Sequence, residues 1–378
     1  MKKVADKHDL VCLLHEKPFE GINGSGKHNN WSMITDDGVN LLDPGKTPSE
    51  NIQFLVFLMA VIKAVDEYAD LLRISVASAG NDHRLGANEA PPAVVSIFLG
   101  DELTEVLKSI ENDTYFTSHG AVQMDIGAIV LPHFVKDNTD RNRTSPFAFT
   151  GNKFEFRMLG SAASVANPNI VLNTAVAEAL DQFAKELDGV APEDMEHAVH
   201  ELIKRAIKKH KRVIFNGNGY TDEWIEEAEK RGLYNLKSTP DALPMWIAQK
   251  NIDLFTKHSI FTSEELHSRY EIWLENYSKT INIESNTMVE MVQKDLLPSV
   301  MSYIEEIAST ASLKASVVPG ITCESETTLI TKLSGLQDAM TKGLEKLKSD
   351  TAKAKATEDV TGKCKTVIRL KYLRTWRN

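Results

Sequence analysis

Cysteine is scarce in this sequence. Its 378 residues include three cysteines, Cys12, Cys323 and Cys364, which lie far apart and form no CxxC pair. An odd number of widely spaced cysteines argues against the disulfide framework of a small secreted protein. We therefore expect a protein of the reducing cytoplasm.

Long apolar runs and an excess of positive charge are also missing. The longest apolar run, residues 54–62, is much shorter than the ~20 residues that span a bilayer. No apolar signal-peptide core follows Met1. The net charge of −10 argues against a general nucleic-acid binder. We expect a soluble globular protein of one or two domains and interpret the basic segment 363–377 as incidental.

The pattern of apolar residues divides the chain into a mixed region, residues 1–187, and a mostly helical region, residues 188–378. In the first region we predict strands at 10–14, 93–99 and 152–158, helices at 52–72, 101–110 and 167–187, and a long loop at 75–92. In the second region we predict helices at 193–212, 221–231, 263–278, 287–307 and 336–355. We interpret the segment 215–220 as a plain connector, although it could pack against a site.

The most informative segment is Asn23-Gly24-Ser25-Gly26-Lys27-His28-Asn29-Asn30-Trp31-Ser32. Its glycines allow a positive φ angle and a close approach to a ligand. His28, Asn30 and Ser32 are two positions apart, so an extended chain places their side chains on one face. From these residues alone, a glycine-containing turn into a half-exposed strand is favoured over a ligand site.

A second pattern follows at residues 152–158. Lys153, Glu155 and Arg157 alternate with apolar residues and share one face of the predicted strand. Alternation alone favours an ordinary strand with a hydrated charged face. Just before it, Arg143 lies in a basic segment that fits a phosphate-binding loop and a solvated loop equally well.

Together these segments resemble one family. The segment from Asn23 to Ser32 is similar to the signature of glutamine synthetase, in which Asn-Gly-Ser-Gly precedes a metal-binding histidine. The segments LHEKPF at 14–19 and AGNDHRLGANEAPP at 79–92 resemble those of the long type III enzymes, found mainly in bacteria. The resemblance covers about residues 9–310 and is far more specific than a lone glycine motif.

The resemblance implies a fold, a reaction and partners. The fold class is α+β, with part of a curved antiparallel catalytic sheet followed by a mostly helical C-terminal region. The reaction is the ATP-dependent ligation of ammonia to the γ-carboxylate of L-glutamate through γ-glutamyl phosphate, with Mg²⁺ or Mn²⁺. Family members form ring-shaped homo-dodecamers, and we expect no nucleic acid or membrane partner.

The resemblance also implies roles for individual residues. The implied metal ligands are His28 and Glu155. The residues implied to bind glutamate are Asn23, Gly24, Arg84 and Arg157. The residues implied to bind ATP are Asn30, Ser32, Arg143 and Lys153. The implied catalytic residues are Arg143, on phosphate, and Glu89, on a mobile flap that runs from Arg84 and closes over the site.

The sequence departs from the type I pattern, since Lys153 replaces an arginine and Asn30 replaces a second histidine. Glu16 and Glu20 match none of the family's metal-binding glutamates. Nothing before His28 supplies a Glu-x-Glu strand. We therefore interpret residues 1–187 as the C-terminal part of a catalytic domain and residues 188–378 as the helical region, with an atypical tail at 364–378. We expect little activity from this chain alone.

Other functions fit the same residues. The chain could be a catalytically inert assembly or regulatory partner of a glutamine synthetase. It could also be a related carboxylate-phosphorylating ligase or a guanidino kinase. Nucleotide binding that depends on a metal favours an enzyme, whereas mixed oligomers without turnover favour a partner.

Overall fold

The computed structural model describes residues 1–19, 21–87, 90–114 and 142–357, together with Gly362. The implied flap residue Glu89 and the basic segment 363–377 therefore lie outside the described residues. The chain forms two compact units, Met1–His267 and Ser268–Asn378. Across the described ranges, every helix is too short or too polar to cross a membrane.

Four short strands form the sheet of the first unit. They are β1 (Gly26–Trp31), β2 (Ile97–Phe98), β3 (Phe147–Phe149) and β4 (Phe154–Gly160), in the order β1-β4-β3-β2. Strand β4 pairs antiparallel with both β1 and β3, whereas β2 and β3 run parallel. The predicted α+β class is confirmed, and the sheet is mixed because its last pair is parallel.

Phenylalanines of β3 and β4 form the core beside the sheet. Phe147 stacks on Phe154 with ring centroids 4.8 Å apart, and Phe149 meets Phe154 edge to face at 5.2 Å. Phe54 of helix α2 (Ile52–Glu67) lies 5.9 Å from Phe149. Because α2 is apolar on most of its circumference, it is buried as a central helix rather than lying on the surface.

The first unit contains further helices. They are α1 (Lys2–Asp6), α3 (Ala69–Ser75), α4 (Ala79–Arg84), α5 (Asp101–Glu111), α6 (Ala166–Leu187), α7 (Met195–His210), α8 (Asp222–Lys230), α9 (Thr239–Ala242) and α10 (Gln249–Lys257), with 3₁₀ turns at Lys211–Val213 and Leu243–Ile247. Of these helices, α6 and α7 pack against α2. Thr221 begins α8, because its hydroxyl accepts a hydrogen bond from the Trp224 amide at 3.3 Å. The helices predicted at 52–72, 101–110, 167–187, 193–212 and 221–231 are confirmed, except that Tyr68 separates α2 from α3.

Three predictions for the first region are wrong. Residues 10–14 form no strand, because they are not paired and their apolar side chains are mostly exposed. The loop predicted at 75–92 contains α4, which Ser78 begins by accepting a hydrogen bond from the Asn81 amide. The strand predicted at 93–99 shortens to β2, which has two residues.

The second unit consists of long helices. Helix α11 (Ser263–Met291) begins in the first unit and continues through a π-helical turn, Val292–Leu296, into α12 (Leu297–Val317), and α13 (Glu324–Ala356) follows. The helices predicted at 263–278 and 287–307 are thus joined. The π turn ends two residues before Pro298, which lacks the amide donor that a regular turn needs.

The predicted division after residue 187 stays a prediction about sequence regions, whereas the compact units divide after His267. The region after residue 187 is helical as predicted. It is not wholly outside the sheet, because Ile214 forms a parallel bridge with Ile97 of β2.

Candidate active site

Strands β1 and β4 bring the two implied metal ligands together. Asn30 pairs with Glu155 in the antiparallel register, and His28 lies two residues earlier on the same face. The His28 Nδ1 atom is 3.5 Å from Glu155 Oε2. The other face of β1 meets α6, where the Asn29 amide donates to Asn169 Oδ1 at 2.8 Å. The predicted approach of His28 and Glu155 is confirmed, whereas their role as ligands stays a prediction.

A β-bulge lies opposite His28. The register of β4 shifts by one residue between Lys27 and Asn29 of β1, so that Arg157 and Met158 of β4 both lie opposite His28. A bulge turns side chains away from the direction that simple alternation gives them. The Arg157 side chain is only 5% exposed, so the prediction of a hydrated charged face is wrong at this residue.

Arg157 holds Glu155 in place. Its Nε and Nη2 atoms donate to Glu155 Oε2 at 3.1 and 3.0 Å, and its Nη1 atom donates to the carbonyl oxygen of Asn142 at 2.5 Å. The second carboxylate oxygen, Oε1, accepts no hydrogen bond from any residue that the structure describes. The guanidinium therefore orients the carboxylate and leaves one oxygen available to a ligand.

The surroundings of His28 favour its neutral form. Partial burial lowers the pKa of the imidazole, and the positive charge of Arg157 lowers it further. The Glu155 carboxylate acts in the opposite direction, but the net shift is downward from 6.5. The side chain remains 59% exposed, so that a ligand can reach it. Neutral imidazole is the form that binds a metal ion.

The glycines before β1 are required by the close approach of other residues. A Cβ atom on Gly24 would lie 2.7 Å from the carbonyl oxygen of Glu16, and one on Gly26 would lie 2.2 Å from Arg84 Nη2. Neither glycine has a positive φ angle. Close packing, rather than left-handed backbone, therefore explains both. Asn23, which precedes them, is exposed.

Arg84 ends α4, and its side chain lies behind this glycine loop. The residue is 6% exposed. Its guanidinium donates to the carbonyl oxygens of Met158 and Arg157 at 3.2 and 3.1 Å and to Asn81 Oδ1 at 3.3 Å. Burial lowers the pKa of the guanidinium. The prediction that a mobile flap starts at Arg84 is wrong, because this residue is helical, buried and bonded to β4.

Glu16, to which the sequence assigned no role, joins the glycine loop to β4. Its backbone oxygen accepts a hydrogen bond from the Ser25 amide at 2.7 Å, and its Oε1 atom accepts one from the Ala162 amide at 3.2 Å. The carboxylate lies so close to Gly80 and Gly160 that a Cβ atom on either would come within 2.8 Å of the Glu16 side chain. Gly24, Gly80 and Gly160 surround Glu16 in space but are far apart in the sequence, so that spacing could not have indicated its role.

The residues implied to bind ATP lie on separate segments. Asn30 is exposed on β1, and the Oγ atom of Ser32 lies 2.9 Å from both Asn40 Oδ1 and the carbonyl oxygen of Asn152. Lys153 is half-buried just before β4. Asn30, Ser32 and Lys153 are thus grouped at the end of the β1–β4 pair that lies away from the glycine loop.

Arg143 lies apart from them in a loop that the segment 215–220 supports. The Asn142 side-chain amide donates to the carbonyl oxygen of Gly217 at 2.7 Å, and the Tyr220 hydroxyl donates to that of Arg143 at 3.2 Å. The interpretation of 215–220 as a plain connector is wrong, because this segment holds the Arg143 loop. The Arg143 side chain itself is exposed.

Models of two domains from one family match this chain. The model of the glutamine synthetase catalytic domain matches residues 1–95, and the model of the glutamine synthetase C-terminal domain matches residues 198–314. The chain belongs to the glutamine synthetase family.

Curated glutamine synthetases align with most of this sequence. One from Butyrivibrio fibrisolvens is 56% identical over 359 residues, which are 94% of this chain and 50% of that protein. A type-3 glutamine synthetase of Dictyostelium discoideum is 52% identical over 322 residues, or 85% of this chain and 43% of that protein. A glutamine synthetase of Bacteroides fragilis is 43% identical over 309 residues, which are 80% of this chain and 42% of that protein. The chain spans about half the length of the curated relatives it matches.

In this chain of the glutamine synthetase family, His28 and Glu155 could offer one imidazole nitrogen and one carboxylate oxygen to a metal. Within the described ranges, no third His, Cys, Asp or Glu joins them. The described residues contain one group of three such side chains, Asp113, His200 and Glu201, which lies elsewhere. There Lys204 already forms an ion pair with Asp113. The His28–Glu155 pair fits Mg²⁺, which usually keeps several waters beside one or two protein ligands.

Proposed function

We propose that this chain is part of a glutamate–ammonia ligase that uses ATP to join ammonia to the γ-carboxylate of L-glutamate. The observation that carries the proposal is that His28 and Arg157 both approach Glu155 on the β1–β4 pair, in a chain of the glutamine synthetase family. In this reaction ATP phosphorylates the carboxylate, and ammonia then displaces the phosphate.

On the metal side, His28 Nδ1 and Glu155 Oε1, the carboxylate oxygen that Arg157 leaves free, would bind Mg²⁺ or Mn²⁺. Such an ion, when bound, would offset the negative charge of the phosphate oxygens. Arg157 orients the Glu155 carboxylate through two hydrogen bonds, and its charge favours neutral His28. Arg157 would thereby prepare both ligands.

On the substrate side, Asn23 and Gly24 of the glycine loop would bind glutamate together with Arg84 and Arg157. The two buried guanidinium groups lie behind the loop and the bulge, and their donors are held by backbone carbonyls and by Glu155. Fixed positive charges of this kind stabilise an anionic substrate and need not reorganise during the reaction. Their contribution to glutamate binding would be mainly electrostatic, because both groups are buried.

On the nucleotide side, Asn30, Ser32, Arg143 and Lys153 would bind ATP. Arg143 would act on the transferred phosphate, and Glu89 would help to deprotonate ammonium. The support for these roles is the match to the family's motifs. We further propose that the active protein is a homo-oligomer and works in the cytoplasm.

Metal binding tests the proposal without relying on turnover. The purified chain would be titrated with Mn²⁺, and the free ion measured by electron paramagnetic resonance. We expect His28→Ala and Glu155→Ala each to weaken Mn²⁺ binding at least tenfold, because each removes one protein ligand. The matched variant His267→Ala removes an exposed histidine elsewhere and should stay within twofold of the wild type.

Equal affinity in all four proteins would contradict the metal site. The same preparations would be incubated with ATP, Mg²⁺, glutamate and ammonia, and phosphate and glutamine would be measured. Glutamine formation that falls with Mn²⁺ affinity across the variants supports the ligase. Tight metal and ATP binding without any phosphate release would instead indicate an inert assembly partner.

A further inference from the structure

A cleft of about 430 Å³ lies between α5, the end of α7 and the end of α8, in the first compact unit. Its cationic lining residues are Lys108, Lys208, Lys209, Lys211, Arg212 and Arg231. Glu111 is the one carboxylate among the described lining residues. In a protein whose net charge is −10, this concentration of positive charge stands out. No residue assigned to the ligase site lines the cleft.

Most of these cations are already paired. The pairs are Lys211 with Glu111 at 2.6 Å, Arg212 with Asp66 at 2.6 Å, Arg231 with Glu227 at 2.8 Å and Lys209 with Glu67 at 3.7 Å. Lys108 and Lys208 are exposed and form no ion pair with any residue that the structure describes. Two lysines without an ion-pair partner that line one cleft are suited to an anion of at least two charges.

The cations of the cleft come from the C-terminal ends of three helices. A cation at such an end is expected, because it offsets the negative end of the helix dipole. Lys108 lies in the last turn of α5, Lys208 and Lys209 in that of α7, and Arg231 ends α8. The dipole accounts for a basic residue at each end, whereas the packing of the three helices brings the ends to one cleft. Arg231 is also fixed, since its guanidinium lies 5.4 Å from the Trp224 ring and its Nη1 atom donates to the carbonyl oxygen of Ile214 at 2.9 Å. Cations from three elements therefore converge on one concave surface.

The floor of the cleft is apolar. Leu107 and Ile207 line it, and each is 2% exposed. Charges beside an apolar floor are screened less than charges in open solvent, so they attract an anion more strongly. The volume falls within the range of small-molecule sites, about 300–1,000 Å³. A small ligand therefore suits the cleft better than a nucleic acid or a protein segment.

We propose that this cleft binds a small phosphorylated ligand with at least two negative charges, represented in its simplest form by pyrophosphate. Lys108 and Lys208 bind the phosphate oxygens as point charges, and Arg231 supplies a fixed guanidinium at the far wall. The site is separate from the ligase reaction and does not depend on it.

Calorimetric titration of the full 378-residue chain with sodium pyrophosphate tests the site. EDTA removes divalent metals, and ~0.15 M NaCl screens non-specific surface binding. We expect the double variant Lys108→Gln/Lys208→Gln to bind pyrophosphate at least tenfold more weakly than the wild type. The matched control Lys332→Gln/Lys342→Gln removes the same charge from α13 and should stay within twofold. Lys108→Arg/Lys208→Arg, which keeps the charge, should retain most of the affinity. Circular dichroism confirms folding in each case.

An equal loss of pyrophosphate affinity in Lys108→Gln/Lys208→Gln and in Lys332→Gln/Lys342→Gln would overturn the proposal. So would failure of the wild type to bind pyrophosphate at millimolar concentration. Titrations with inorganic phosphate, AMP and ADP distinguish a free diphosphate from a nucleotide as the source of the charge. Arg143→Gln tests the nucleotide side of the ligase site. Pyrophosphate binding that is unchanged by Arg143→Gln supports a separate cleft, whereas binding that depends on Arg143 places the ion elsewhere and overturns it.

Discussion

Strands β1 and β4 pair with each other but differ in almost every physical respect. Strand β4 lies between β1 and β3, and six of its seven residues are buried. Strand β1 has a single partner strand among the described residues, and one of its six residues is buried. The buried strand fixes the position of the charged groups, whereas the exposed strand presents His28 to ligands. Substitutions in β4 should therefore act on stability, and those in β1 on binding.

The largest expected difference compares Phe156→Ala in β4 with Asn30→Ala in β1. Phe156 is fully buried, and its ring centroid lies 5.8 Å from that of Phe147, so removal of the ring leaves a cavity. We expect Phe156→Ala to lower the free energy of unfolding by about 3–5 kcal/mol. Asn30→Ala, at an exposed position, should change it by less than about 0.5 kcal/mol. Urea unfolding measures both, and similar losses would contradict the division between the strands.

Glu16 tests how firmly β4 holds the loop before β1. Glu16→Ala removes the acceptor of the part-buried hydrogen bond from the Ala162 amide. We expect a loss of about 0.5–1.5 kcal/mol in the free energy of unfolding. Glu16→Gln keeps an acceptor oxygen and should lose less. If the two variants unfold at the same urea concentration, the hydrogen bond from Ala162 contributes nothing.

The third comparison concerns the influence of β4 on the pKa of His28. Burial and the charge of Arg157 lower this pKa, so Arg157→Gln should raise it. A histidine with a lowered pKa stays neutral to lower pH, and Mn²⁺ binding should therefore persist to lower pH in the wild type than in Arg157→Gln. Titration of the His28 ring signals by NMR measures the shift. Lys153→Gln is the control, because Lys153 is not among the residues that shift the pKa of His28. An unchanged His28 pKa in Arg157→Gln would contradict the influence assigned to Arg157.

The smallest effect is expected at α6, which covers the inward face of β1. Hydrogen bonds from Lys185 and Lys257 lower the pKa of Asp181, on α6, to about 2. The stabilisation that Asp181 contributes to the folded state is thus fully present at a pH above 3.8, the ordinary pKa of its carboxyl group. It is lost as the pH falls toward 2. Lys257→Met should lower the melting temperature at neutral pH, and its difference from the wild type should shrink between pH 4 and pH 2. Lys279→Met, in an exposed pair on α11, should show no such trend.

Local sequence patterns predicted much of the fold. Thr221 and the acidic turn after it marked the start of α8, and apolar spacing marked α2 and α6, because capping and periodicity act within one helix. The strand predicted at residues 10–14 was wrong, because an exposed apolar run without a partner strand has the same local sequence pattern as a buried strand.

The candidate site was predictable where two strands place side chains by alternation. His28 and Glu155 follow this rule, and their approach was expected. Arg157 does not, because the bulge depends on the pairing of β1 with β4 rather than on either sequence. Glu16 was missed for a similar reason, since its partners come from distant segments.

The bulge in β4 also affects how residue roles can be carried from one protein to another. Opposite His28, the strand contains one residue more than regular pairing needs. In a homologue with regular pairing there, a correct alignment would contain a one-residue gap between Glu155 and Leu159. Without that gap, every equivalence on the glycine-loop side of the strand would be displaced by one position. The number of residues in β4 between Glu155 and Leu159, as well as their identity, must therefore match before a residue role is transferred.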